Sequence, residues 1–115
     1  MKLILGDCVE TMMQLEPGSI DMLFTDLPYG TTKCKWDSVI DLAAFWAAAN
    51  RVVKPGGVKA LFAQAPFDKV LAMSNIKDFR YEWIWEKTEA SGFLNAKKMP
   101  MKAHENILIF YDRLP

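Results

Sequence analysis

"IDMLFTDLPYG", Ile20 to Gly30, is the stretch on which the fold turns. Ile20–Thr25 is mostly apolar and short, the pattern of a strand buried on both faces of a parallel sheet. It ends on a carboxylate, Asp26, followed by Leu-Pro, an aromatic ring and a glycine. Pro28 confines Leu27 to extended conformations and fixes its own φ, so the Leu27 carbonyl has a set direction. Tyr29 adds a flat face. Two acceptors beside a stacking surface suit an exocyclic amine on a planar ring, such as adenine N6 or cytosine N4. The carboxylate and the carbonyl take the two N–H protons.

Outward from that stretch, the chain alternates. Lys2–Leu5 is a short apolar run stopping at Gly6-Asp7, read as a strand entering a loop. Val9 to Leu15 fits a short helix that Asp7 can cap. Leu42, Phe45, Trp46, Ala49, Val52 and Val53 recur at three and four, which predicts a helix over Asp41–Val53. Lys54-Pro55-Gly56-Gly57 ends it. "VKALFA" is the next strand. Pro66 suits the first turn of a helix running to about Ser74. "FRYEWIWEK" and "ENILIFY" are the last two strands, with no helix between them, so they are expected to be antiparallel neighbours. The alternation argues an α/β fold with a largely parallel sheet. Thr88–His104 has no clear period, and a loop that long is usually functional or disordered. Trp46 is expected in the core. Trp83 and Trp85 share a sheet face and are expected to pack, and Met12, Met13, Met22 and Met73 read as core fillers.

The 115 residues make one small domain or part of a larger one. Fourteen basic residues balance fourteen acidic ones, so overall charge points to no partner. Cys8 and Cys34 make no disulfide framework and read as reduced thiols of a cytoplasmic protein. One histidine and two distant cysteines do not make a four-ligand zinc site. No stretch approaches the roughly 20 apolar residues of a membrane span.

"DLPYG" resembles the Asp-Pro-Pro-Tyr signature of the DNA amino-methyltransferases, which methylate adenine N6 or cytosine N4. The likeness runs through essentially the whole chain. "LILGDCVETMMQLEPGSIDMLFTDLPYG" is similar to the family's opening block. "KCKWDSVIDLAAFWAAANRVVKPGG" resembles its following helix and turn. "NAKKMPMKAHENILIFY" resembles its Lys-rich loop and His-Glu strand. The block order is that of members common in phages and prophages.

The resemblance implies a Rossmann-like S-adenosylmethionine-dependent methyltransferase sheet, mostly parallel with an antiparallel strand near the C-terminus. It implies DNA as partner and S-adenosylmethionine as cofactor. Asp26 and the Leu27 carbonyl would hold the target amine, Pro28 would shape the turn, and Tyr29 would stack on the flipped base. Asp7 would take the cofactor's adenine amine, with the Cys8 N–H helping and Asp26 nearby; helix capping is the competing role for Asp7. Aspartate at the head of the signature leans toward adenine. Lys33, Lys35, Lys97, Lys98, Lys102 and His104 are candidate phosphate contacts, or a solvated loop. Trp36 is a candidate base wedge or an apolar anchor of its loop.

Two departures carry weight. Leu27 stands where the family usually has proline; leucine keeps the carbonyl and loses rigidity. Gly6, Gly18, Gly30, Gly56, Gly57 and Gly92 form no Phe-x-Gly-x-Gly loop, which in the family wraps the methionine half of the cofactor. The chain is therefore expected to be the N-terminal catalytic half of a methyltransferase domain. Its Asp26 strand would have an open edge inviting a second copy or a companion chain.

Overall fold

The computed structural model describes residues 1–28, 40–91 and 102–115, with backbone only for 87–91, 102 and 103. Tyr29, Lys33, Cys34, Lys35, Trp36, Lys97 and Lys98 lie outside the described residues. The order is α1 (Cys8–Gln14), β1 (Ile20–Asp26), α2 (Leu42–Val52), β2 (Val53–Ala63), α3 (Phe67–Ser74), β3 (Phe79–Ser91) and β4 (Lys102–Phe110).

One sheet runs β1-β2-β4-β3. β1 and β2 are parallel, and β4 is antiparallel to both β2 and β3. Three strands thus share one direction and β4 alone opposes it, the mixed α/β sheet expected.

α2 forms because its stripe has a place to go. Phe45, Trp46, Ala49 and Val52 are buried, and Asp41 caps the helix by accepting from the Ala44 N–H at 3.1 Å. Trp46 sits 4.7 Å from the Phe110 ring, centroid to centroid, and donates its indole N–H to Ser74 Oγ at 2.8 Å. That bond ties α2 to the end of α3. The helix stops at Val52, and Lys54–Gly57 bulges between two paired stretches of β2, where the register jumps from Ile20↔Val53 to Met22↔Val58. Gly57 is required there. An added Cβ would meet Val53 Cγ1 at 2.5 Å and the Asp21 and Lys54 carbonyls at 2.8 and 2.9 Å.

The main core lies on the face that carries Leu61, Ala63, Leu108 and Phe110, together with the buried sides of all three helices. A smaller cluster of Ala60, Ile107 and Ile109 lies on the opposite face. Rings lie over that second face: Phe24 contacts Phe62, which contacts Trp85, at centroid distances of 5.3 and 5.5 Å.

Several expectations need correction. Lys2–Leu5 is not a strand. A strand is stable only as a hydrogen-bonded ladder, and this segment joins no sheet among the described residues. β1 is not buried on both faces, because it is an edge strand here and Met22 and Phe24 face away from the helices. Trp83 and Trp85 do share a face, but each remains more than half exposed at 55% and 53%. Met13, Met22 and Met73 are exposed; only Met12 of the four methionines is buried.

Candidate functional site

The candidate site lies at the carboxyl end of β1, where ligands of open α/β sheets bind. Asp26 is the last residue of β1 and pairs in register with Phe62. Alternation puts its side chain on the ring-covered face, and it is exposed. Leu27 turns the other way. Its side chain is 3% exposed and belongs to the main core with Met12, Phe45 and Trp46. The buried side chain anchors the peptide that carries the Leu27 carbonyl.

The next residue is fixed as well. The Pro28 carbonyl accepts from the Ile40 N–H at 3.3 Å, which brings the two ends of the 29–39 segment together. Ile40 directly precedes Asp41, so the cap of α2 and the Pro28 turn form one connected unit.

Across from this turn stands the start of α1. Asp7 is its N-cap and accepts from the Glu10 N–H at 3.0 Å through Oδ2. The capping role weighed from sequence is therefore present, and it occupies one carboxylate oxygen. Cys8 is exposed, and its thiol is held above its usual pKa, first by partial desolvation and then by the Asp7 charge. Two cavities adjoin at Cys8. One, of about 340 Å³, is bounded by Asp7, Cys8, Val9, Pro28, Ile40 and Asp41. The other, of about 230 Å³, reaches beneath the turn to Gly6, Thr11, Leu23, Thr25, Leu27 and Phe45. The structure thus brings Asp7 and Cys8 together with Leu27 and Pro28. Asp26 adjoins them on the opposite face of the sheet.

His104 lies on β4, opposite Glu86, and is exposed. β4 runs against β1 and β2, so its beginning lies at the same end of the sheet as Asp26. The Lys102 backbone pairs with Ser91 at that end. No cluster of three or more His, Cys, Asp or Glu side chains able to hold a metal occurs among the described residues. No helix is long and apolar enough to cross a membrane among them.

The sequence reading missed a polar network beside this end. Asp68, only 1% exposed, accepts from Asn106 Nδ2 at 2.8 Å and from Lys69 Nζ at 2.6 Å. Gln64 Nε2 donates to Glu105 Oε1 at 2.6 Å. These bonds fasten the start of α3 to the start of β4, as burial of a carboxylate requires. The signal that could have found it was Glu105-Asn106, a polar pair directly ahead of the apolar run Ile107 to Phe110.

No protein-family model and no curated protein matches the chain. Solved structures do share its fold. TTHA0409 of Thermus thermophilus, assigned as a DNA modification methylase, superposes with a TM-score of 0.72 at 20% identity, over 96% of this chain and 55% of that one. The PvuII DNA methyltransferase, cytosine-N4-specific, gives 0.72 at 15% identity over 96% and 49%. The M1.HpyAVI–SAM complex gives 0.58 at 18% identity over 93% and 51%. The chain spans about half the length of the structures it matches.

Proposed function

We propose that this chain supplies the amine-holding half of a DNA amino-methyltransferase, acting on the exocyclic amine of a flipped base, with adenine N6 favoured. The observation that carries the reading is the join between the Asp26-Leu27-Pro28 turn and the start of α1. Leu27 is rooted in the core, and Pro28 shares a cavity with Asp7 and Cys8. The same fold occurs in structures named as DNA methylases, one of them as a complex with SAM. Since one of those is cytosine-N4-specific, the preference for adenine rests on the signature alone.

S-adenosylmethionine fits the described residues in part. The cavities at Cys8 have room for a planar ring beside a carboxylate, Asp7, which would accept from its amine. Cys8 would add its backbone N–H. When bound, the cofactor supplies an activated methyl group. The chain's own residues prepare the amine. Asp26 and the Leu27 carbonyl accept its two protons, which localises the nitrogen lone pair and favours positive charge on that nitrogen. Tyr29 stacks on the base; such a contact contributes about 1–3 kcal/mol against the cost of flipping. Lys33, Lys35, Trp36, Lys97, Lys98, Lys102 and His104 are proposed as the DNA contacts, His104 and Lys102 at the same end as Asp26.

A second reading is favoured by one observation. β1 is a sheet edge among the described residues, with Met22 and Phe24 more than half exposed at 51% and 56%. By itself the chain would then bind DNA, a second copy or a companion chain through that edge, without transferring methyl groups. Calorimetric titration with S-adenosylmethionine separates the two. Absent or very weak binding is expected of the isolated chain, and a micromolar dissociation constant refutes that expectation. If the chain methylates DNA, Asp26→Ala abolishes turnover; an undiminished rate removes Asp26 from its assigned role.

A further inference from the structure

At the far end of the sheet from Asp26 lies a cleft of about 820 Å³. It opens at the beginnings of β2 and β3, just past the end of β4. Its lining carries six cationic side chains, Arg51, Lys54, Lys59, Lys77, Arg80 and Arg113, against two carboxylates, Asp78 and Asp112. Four of the cations are engaged. Arg51 donates to the Met12 carbonyl, Lys54 pairs with Asp21, Arg113 pairs with Asp112, and Arg80 donates to the Tyr111 and Asp112 carbonyls.

Three further donor-bearing residues line the cleft. Lys59 is 4% exposed, lines the cleft, and makes no hydrogen bond or ion pair among the described residues. Burial holds its ammonium below the usual lysine pKa, and Asp78 and Asp112 oppose that only in part. Asn75 Nδ2 is buried without a hydrogen-bond partner among the described residues. Lys77, two residues on, is exposed and unpaired among the described residues. A buried donor without an acceptor costs about 1–3 kcal/mol, more when charged. Asn75 Nδ2 is one such donor, and the Lys59 ammonium lining the same cleft adds a charge that an acceptor-rich group would answer.

The carboxyl ends of α2 and α3 also face this cleft, and their carbonyls favour cations there. Each is worth about half a charge at most, so the six side-chain cations still outweigh the helix ends, both carboxylates and Asp21, the partner of Lys54, together.

We propose that this cleft binds a small polyphosphate-type anion, with Lys59 and Asn75 on its floor and Lys77 at its rim. A carboxylate carries too little charge to answer the whole lining. A duplex backbone would meet only the rim, because Lys59 lies beneath the surface. A terminal phosphate reaches it. Nothing in this proposal depends on methyl transfer, since the cleft lies at the opposite end of the sheet from the candidate site.

Pyrophosphate is the probe, titrated into the full chain at low and at moderate salt and followed by calorimetry and by backbone amide shifts. Saturable binding is expected, with shifts at residues 75–78 and 59. Lys59→Met should weaken it by about tenfold or more, the loss of one charge-assisted hydrogen bond. Asn75→Asp, nearly isosteric, should weaken it similarly by adding a negative charge, and it keeps the test open should Lys59→Met fail to fold. Asp26→Ala should bind as the parent does. The proposal is overturned by no saturable binding, by parent-like affinity in both cleft variants, or by duplex DNA that competes for the probe and is itself unaffected by Asn75→Asp.

Discussion

Leu27→Ala tests whether a buried side chain anchors the segment that follows β1. Leu27 is 3% exposed and packs with Met12, Phe45 and Trp46. Truncation removes three carbons from the core. At about 0.8 kcal/mol per buried methylene the transfer loss alone is about 2.4 kcal/mol. The void left behind merges with the cavity of about 230 Å³ that Leu27 already lines, so the surroundings have little to collapse onto. The cavity cost therefore adds to the transfer loss, and the expected total is about 3 kcal/mol, within the range of Leu→Ala core changes. Urea unfolding followed by tryptophan fluorescence reads it as a lower midpoint at unchanged slope. Leu27→Met should cost less than about 1.5 kcal/mol, since it keeps the volume. Met22→Ala, on the exposed face of β1, should stay within about 0.5 kcal/mol. A Leu27→Ala loss below about 1 kcal/mol would mean that the turn is not anchored as described.

Asp41→Ala removes the cap of α2 and should cost about 1 kcal/mol in the same unfolding assay, with Asp41→Asn retaining most of it. Gly57→Ala forces a Cβ against two carbonyls and Val53, so a loss of about 1–3 kcal/mol is expected, whereas an unchanged midpoint would refute the close approach. Asp112 accepts from the Gly56 N–H at 2.9 Å, which holds its carboxyl below the usual aspartate pKa, with Arg113 adding to the effect. A depressed folded-state pKa contributes stability above the unfolded value and loses it as pH falls through the folded value. Asp112→Asn should therefore flatten the acid side of the stability–pH curve below about pH 4 and leave its shape near neutrality alone.

The legibility of this fold follows from where each signal's partner lies. The stripe of α2 could be read because Phe45, Trp46, Ala49 and Val52 meet a core made by this same chain. The capping aspartates, Asp7 and Asp41, could be read because a cap needs only its own first turn. The end of β1 at Asp26 could be read because Pro28, two residues on, has no N–H to continue the ladder. Lys2–Leu5 misled, since a short apolar run states a capacity to pair and cannot name the neighbour. Trp83 and Trp85 share a face and touch neighbouring rings as read, yet stay more than half exposed: alternation gives the face, while exposure depends on what lies over it. The anchor at Leu27 was invisible. Only the structure shows that Leu27 reaches the core and that the Pro28 carbonyl accepts from the Ile40 N–H.

The proposed amine-holding pair can be tested without a cofactor. Single-stranded oligonucleotides carrying one adenine, or purine lacking the exocyclic amine at that position, would be compared for affinity to the chain at fixed low salt. Two amine hydrogen bonds at about 0.5–1.5 kcal/mol each predict a preference for adenine of roughly fivefold or more. The preference should vanish in Asp26→Ala while the binding that phosphates supply remains. Equal affinity for the two oligonucleotides, or a preference that survives Asp26→Ala, would contradict the assignment of Asp26 and the Leu27 carbonyl as the amine-holding pair.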